Sequence, residues 1–312
     1  MKRNLRFIFS ILMFAALVVP LSCAEDESRP TFPLSAEIFQ SAVGKKVAFT
    51  ALTHSATSWH WDFGDGQTST EKNPVHEYAE GGYYLATLTA SDGRGNQVTK
   101  EVTLALELTP ESMLVGDHTK EGYTGKTWKL TADHSSGGDY FAEAKTGLPV
   151  VGDTPKPLPT GIFDLEFAMG DIYKDTYTFH HDGSYKHDVK EDGAAFSGYV
   201  YSLVNGKDVV NDNGADYGLC IAKYTPESDA TFTFNENDNL TVTTVYGDLT
   251  FNNVMTLDFS GTEFIGFQDF HRKVVVTSIT NTRMQVIMFM AAAPAALPKP
   301  THALILSFEA VN

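Results

Sequence analysis

The chain of 312 residues carries 39 acidic and 23 basic side chains, a net charge of −16. Such a surface repels phosphates and anionic lipids, which argues against nucleic-acid binding and against membrane attachment through a basic patch. With two cysteines in all, stability must come from hydrophobic cores and not from a disulfide framework.

The N-terminus reads as an export leader over residues 1–22. Lys2, Arg3 and Arg6 form a positive head, and Phe7 to Val19 is an almost unbroken apolar run too short to span a bilayer comfortably. The run ends at Pro20-Leu21-Ser22-Cys23, which resembles a bacterial lipoprotein cleavage site with Cys23 as the lipidated residue. Pro20 departs from that pattern, since an aliphatic residue is usual there. Loss of the leader removes three basic and no acidic residues, so the mature charge becomes −19. Residues 23–32 form an acidic tether, and Glu25-Asp26-Glu27 is similar to the signal that sends Bacteroidota lipoproteins to the outer face of the outer membrane. A lipid-anchored, surface-exposed outer-membrane protein is the expected localisation.

Residues 33–107 carry period-two alternation in Val47–Leu52, Ser58–Phe63, Tyr84–Thr89 and Gln97–Leu104, separated by Gly, Asp and Asn clusters. This predicts an antiparallel sandwich. The string Trp61-Asp62-Phe63-Gly64-Asp65-Gly66, with Asn73–Tyr78 and Gly82–Thr89 behind it, resembles the polycystic-kidney-disease (PKD) repeat, an immunoglobulin-like domain. The resemblance implies a secreted spacer, with Trp61 in the core. Asp62, Gly64, Asp65 and Gly66 are what a tight turn requires, so a structural turn is expected there and not a calcium site.

Residues 108–122 read as a linker broken at Thr109-Pro110, and residues 123–312 as a larger all-β sandwich or jelly roll with no amphipathic helix. Gly125–Leu130 is its first strand. Ala132 to Thr160, with four prolines, is a long irregular stretch suited to form the wall of a binding site. In Asp171–Val189, a three-residue His181-Asp182-Gly183 loop places Phe179 opposite Tyr185 and Tyr177 opposite His187, and a one-residue slip would turn the apolar face to water. Ala230–Phe234 and Leu240–Thr244 form a second expected hairpin across Asn235–Asn239. Further strands fit Leu249–Phe259, Arg272–Ile279, Arg283–Met290 and Ala303–Val311, with a turn at Thr280-Asn281-Thr282.

Catalytic patterns find little support. Hydrolysis of a glycosidic bond normally takes two opposed carboxyl groups. The laminarinase-type Glu-x-Asp-x-x-Glu string does not occur, and Asp164-Leu165-Glu166 and Glu236-Asn237-Asp238 are the nearest acidic pairs. His180 and His187 fall on opposite faces of their hairpin, which opposes shared zinc ligation. No Gly-x-Ser-x-Gly elbow occurs, and Cys220 lies in an apolar setting that suits a buried thiol. Neither enzymatic activity nor a cofactor is expected.

An aromatic-rich β-domain without reactive groups has the parts that carbohydrate binding needs. The favoured glycan-binding residues are Trp128, Tyr140, Tyr173, Phe267, Gln268, Asp269, Phe270 and His271, with Phe141, Tyr199, Tyr201 and Tyr217 as further lining groups. Lipid anchor, acidic tether, PKD repeat and the Asp171–Phe179 strand followed by Asp182-Gly183 are together similar to the surface glycan-binding lipoproteins of Bacteroidota polysaccharide-uptake systems. That resemblance implies non-catalytic capture of a polysaccharide, with an outer-membrane transporter and companion lipoproteins as partners, and charge and class together point to a neutral β-glucan. Many members carry a tandem Trp-Trp that this chain lacks, so no binding residue carries over from it. An unrecognised glycoside hydrolase or lyase and a protein-binding adhesin are the alternatives.

Overall fold

The computed structural model describes residues 32–148 and 156–311. The leader, Cys23 and all but the last residue of the tether lie outside the described residues. The N-terminal body contains β1 (Ser35–Val43), β2 (Lys46–His54), β3 (Ser58–Asp62), β4 (Thr68–Ser69), β5 (Val75–Glu77), β6 (Gly82–Ser91) and β7 (Gln97–Leu106), arranged as a β1-β2-β5 sheet facing a β4-β3-β6-β7 sheet. Trp61, Phe49, Phe63 and Tyr78 are buried between the sheets. Trp59 is half-buried at the edge, where its Nε1 donates to Thr53 Oγ1 at 3.3 Å. The Asp-Gly turn is structural: Asp62 Oδ1 accepts from Gly64 N, Asp65 Oδ1 accepts from Gln67 N, and Asp65 Oδ2 meets His76 Nε2 at 2.7 Å. Gly64 is required there on two counts, a φ of 79° and a backbone approach that would put any Cβ 2.6 Å from the Leu85 carbonyl.

The connecting segment differs from the expected plain linker, because Pro110–Val115 forms a helix, α1. Thr109 caps it by accepting from Ser112 N–H, and Pro110 occupies the first turn, where no N–H is needed. Its buried Leu114 and Val115 join the core of the second body. Three more short helices follow among the described residues: α2 (His134–Gly137), α3 (Ile162–Leu165) and α4 (Tyr199–Val204). None exceeds six residues, too few for a 3.6-residue period to show in the sequence.

The second body is all-β. Its strands are β8 (Lys126–Leu130), β9 (Tyr140–Glu143), β10 (Lys156–Pro157), β11 (Thr176–Phe179), β12 (Tyr185–Asp188), β13 (Ala194–Gly198), β14 (Val209–Asn211), β15 (Leu219–Lys223), β16 (Phe232–Thr244), β17 (Gly247–Phe259), β18 (Val274–Ile279), β19 (Arg283–Met290) and β20 (His302–Ala310). The main sheet runs β12-β11-β8-β20-β19-β18-β17-β16, with β9 paired to β20 and β10 to β9, and a small sheet runs β13-β15-β14. Phe196, Leu219 and Ile221 of the small sheet share one core with Trp128, Tyr177, Phe179 and Phe308 of the main sheet, making a sandwich. The opposite face of the main sheet carries a second apolar cluster around Val275, Ile287, Phe289 and Ile305.

Two expectations about hairpins fare differently. The β11–β12 register is as the alternation requires, with Phe179 opposite Tyr185, Tyr177 opposite His187, and Gly183 left-handed at φ 84°. The expected hairpin across Asn235–Asn239 is absent: those residues continue β16, a 13-residue strand paired along β17. Their turn-like composition is absorbed by register shifts on either side of Asp238, whose carboxylate accepts from Thr256 Oγ1 and pairs with Lys273 at 2.7 Å.

Candidate functional site

Two ring pairs stand at the surface where α4 meets the small sheet. Tyr217, 62% exposed, packs against half-buried Phe167 with centroids 5.3 Å apart. Tyr201 of α4 meets Phe270 edge-on at 5.0 Å and 86°. The elements bearing them are joined, because Tyr199 N at the start of α4 donates to the carbonyl of Gly218, the residue after Tyr217, at 2.8 Å. Lys207 Nζ lies 5.7 Å from the Tyr201 centroid and 5.3 Å from that of Tyr224, and burial lowers the pKa of its amine. Burial first, and the Asp269 carboxylate second, raise the pKa of the Tyr201 phenol, so the ring stays neutral.

Local sequence fixes the Tyr217–Phe167 pair. Tyr217 ends a 3-10 turn, Ala215–Tyr217, closed by Gly218 at φ 79°, and a Cβ on Gly218 would lie 3.1 to 3.2 Å from Ala292 and Met290. Phe167 precedes Ala168, a non-glycine residue at φ 52°, a conformation that costs about 1 kcal/mol and needs outside support. Support comes from two asparagines: Asn211 Nδ2 donates to Ala168 O at 2.9 Å and Asn213 Nδ2 to Phe167 O at 3.0 Å. The backbone beneath these two rings is therefore set before any ligand arrives. Tyrosine adds broad contact area with few rotamers to freeze, and a neighbouring ammonium adds a hydrogen-bond donor. Within each pair the rings are inclined by 58° and 86°, so each pair can offer at most one ring face to a ligand with apolar faces and polar edges.

Of the eight favoured sequence candidates, four are sealed in the interior. Trp128 is fully buried, with its Nε1 donating to Leu114 O at 2.9 Å and the Lys126 amine 4.6 Å from its ring. Phe267 packs edge-on against Phe196 at 4.9 Å, and Gln268 is buried with its Oε1 accepting from Ser197 Oγ. Asp269 is buried beneath Tyr201, its two oxygens accepting from Phe270 N and Ala291 N, and burial pushes its carboxyl up to about 7. These four are corrected from ligand contacts to core groups. A mixed polar and aromatic string signals a rim only if it stays outside, and residues 267–269 turn inward to close the sandwich.

The other four reach the surface in part but do not converge. Phe270 joins Tyr201, whereas His271 leans edge-on against Phe289 on the far face of the main sheet. Tyr140 is half-buried along that same far face. Tyr173 has its hydroxyl committed: it contacts His134 Nε2 at 2.8 Å, while His134 Nδ1 contacts Asp139 Oδ2 at 2.8 Å. Asp139 in turn accepts from Ser307 N and Ser307 Oγ. This buried relay fastens α2 and β9 to β20, so the described part of the stretch expected as a binding-site wall is tied into the fold. Tyr199, Tyr201 and Tyr217 are legible in the sequence as lining groups. Phe167 and Lys207 are not, since each stands alone among loop residues and joins the site only through the fold.

Comparison with known proteins bears mainly on the N-terminal body. The family model described as PKD domain matches residues 29–106, and this part of the chain is a PKD domain. Collagenase ColA of Bacillus cereus is 42% identical over 55 residues, covering 18% of this chain and 6% of that protein. Pre-pro-metalloprotease PrtV of Vibrio cholerae is 43% identical over 56 residues, covering 18% and 6%. The chain thus spans less than a tenth of these relatives. Among solved structures, the PKD1 domain of Vibrio anguillarum Epp aligns at 29% identity over 25% of this chain and 99% of that one, with a TM-score of 0.24. A carbohydrate-binding module of the β-sandwich superfamily aligns over 90% of this chain and 93% of that one at 12% identity, with a TM-score of 0.26.

Proposed function

We propose that the second body captures a polysaccharide chain without cleaving it, while the PKD domain acts as a spacer. The observation that carries this reading is the pair of ring sets on α4 and the small sheet, Tyr217 with Phe167 and Tyr201 with Phe270, beside the Lys207 amine. Sugar rings present patches of C–H that adsorb on such faces, and their hydroxyls pair with nearby polar side chains. Each stacked ring is worth about 1 kcal/mol beyond the area it covers, so a single site is weak. An array of anchored copies gripping one long chain offsets that weakness through avidity.

The leader and Cys23 support lipid anchoring at the cell surface. In that setting an outer-membrane transporter and companion lipoproteins are the proposed recipients of the captured chain. The net charge of −19 left after loss of the leader, 20 basic against 39 acidic residues, favours a neutral glycan, such as a β-glucan, over an anionic one. The experiment is electrophoresis through native gels cast with a panel of neutral and anionic polysaccharides, followed by analysis for released products. Retardation by a neutral glycan with no product is the expected result. Product release would instead identify an enzyme.

A second reading has its own observation. Leu165, Leu203 and Val204 are 77%, 55% and 60% exposed on α3 and α4, and apolar groups of that kind around the rings suit a protein partner. Absence of retardation on every glycan would favour that adhesin-like role.

A further inference from the structure

Between the two bodies lies a cavity of about 410 Å3, within the roughly 300–1,000 Å3 typical of small-ligand sites. Tyr83 reaches it from β6 of the PKD domain, Tyr123 from the connecting segment, and Asn281 from the turn between β18 and β19. Tyr123 is fixed in place: its hydroxyl donates to Val115 O at 2.9 Å and accepts from His181 N at 3.0 Å. Tyr83, Lys120, Glu121 and Asn281 contribute side-chain polar groups to the same space, and none of them makes a side-chain hydrogen bond or ion pair among the described residues. Lys120 faces Asp117 and Glu121 around the opening, whereas the Lys126 amine is turned inward, donating to Met113 O beside the buried Trp128 ring.

Unspent donors and acceptors of both kinds and two phenol rings, with two carboxylates against one amine opposing an anionic ligand, together describe a site for a neutral polyol. We infer that this junction is a second saccharide-binding site, taking a short segment of a neutral oligosaccharide between the PKD domain and the sandwich. The choice of ligand class rests on the capture reading above. The location does not, because the cavity shares no residue with the ring platform. A ligand held by Tyr83 on one side and Asn281 on the other would favour the domain arrangement described here, since binding stabilises whichever arrangement it contacts best.

The test is hydroxyl-radical footprinting of the full chain with saturating cellohexaose, laminarihexaose, xylohexaose or mannohexaose as probes. It is run on the native protein, on the platform variant Tyr201→Ala/Tyr217→Ala, and on the junction variant Lys120→Ala/Asn281→Ala, all four being at least partly exposed positions. The expected result is at least twofold protection of Tyr83 and Tyr123 by one probe in the native chain and in the platform variant, lost in the junction variant. Unchanged oxidation of Tyr83 and Tyr123 with every probe overturns the junction site. Protection of Tyr217 without Tyr83 then leaves the platform standing alone, and protection of neither removes both.

Discussion

Asp175, 2% exposed just before β11, has its carboxyl pushed up to about 8, by burial first and by the Asp192 carboxylate second. An unfolded chain releases this proton near pH 3.8, so the folded state holds it across the interval from about 4 to 8. Its contribution is therefore most favourable below pH 4, declines as the pH rises, and levels off above 8. Asp175→Asn removes that decline. The expected outcome in thermal or urea unfolding is a gain on the order of 2 kcal/mol at pH 8, since relaxation and water entry reduce what about 1.4 kcal/mol per unit would give, and no gain at pH 3.5. Burial lowers the pKa of His187 and of His118, which also stacks on His181 at 3.7 Å. Their stability contribution is full above pH 6.5 and falls as the solution is acidified, a limb that Asp175→Asn leaves unchanged. At this scale the sequence was an uneven guide. Tyr201 and Tyr217 stand out by composition and end outside, whereas Trp128 stands out equally and ends wholly buried, because a ring's identity does not encode which face of its strand is covered.

The elements divide by whether their pattern carries enough residues to decide. The β11–β12 register is legible because four aromatic or aliphatic side chains and His187 fall on one face only if the loop has three residues, and the buried set is Tyr177, Phe179, Tyr185, His187 and Val189. The strand β16 is not legible, because Asn235–Asn239 has turn composition and only its partner β17, supplied by the fold, keeps it extended. The 3-10 turn carrying Tyr217 gives an element-scale prediction. Gly218→Val places a branched side chain at φ 79° against Ala292 and Met290, so the turn must shift and take Tyr217 and the Tyr199 hydrogen bond with it. The expected outcome is loss of glycan retardation together with a fall of about 1–3 kcal/mol in stability, read from gels and from thermal unfolding of the same preparation.

For the whole molecule, the domain order was legible because each body announces itself by a different signal: the Asp-Gly turn and its flanking strands for the PKD domain, and spaced alternating segments for the sandwich. The arrangement of ten strands around a three-stranded sheet was not, since strand order depends on contacts far apart in sequence, such as β8 lying between β11 and β20. That arrangement pairs Phe167 with Tyr217 and Tyr201 with Phe270, four rings drawn from four separate segments. The account stands on those rings as the grip of the second body. The most direct measurement is the dissociation constant of the full chain for whichever polysaccharide retards it, compared with those of Tyr217→Ala and Tyr201→Ala at matched thermal stability. A loss of about 1.4 kcal/mol or more per substitution, a tenfold weakening, is predicted; affinities within twofold of the native chain would contradict the account.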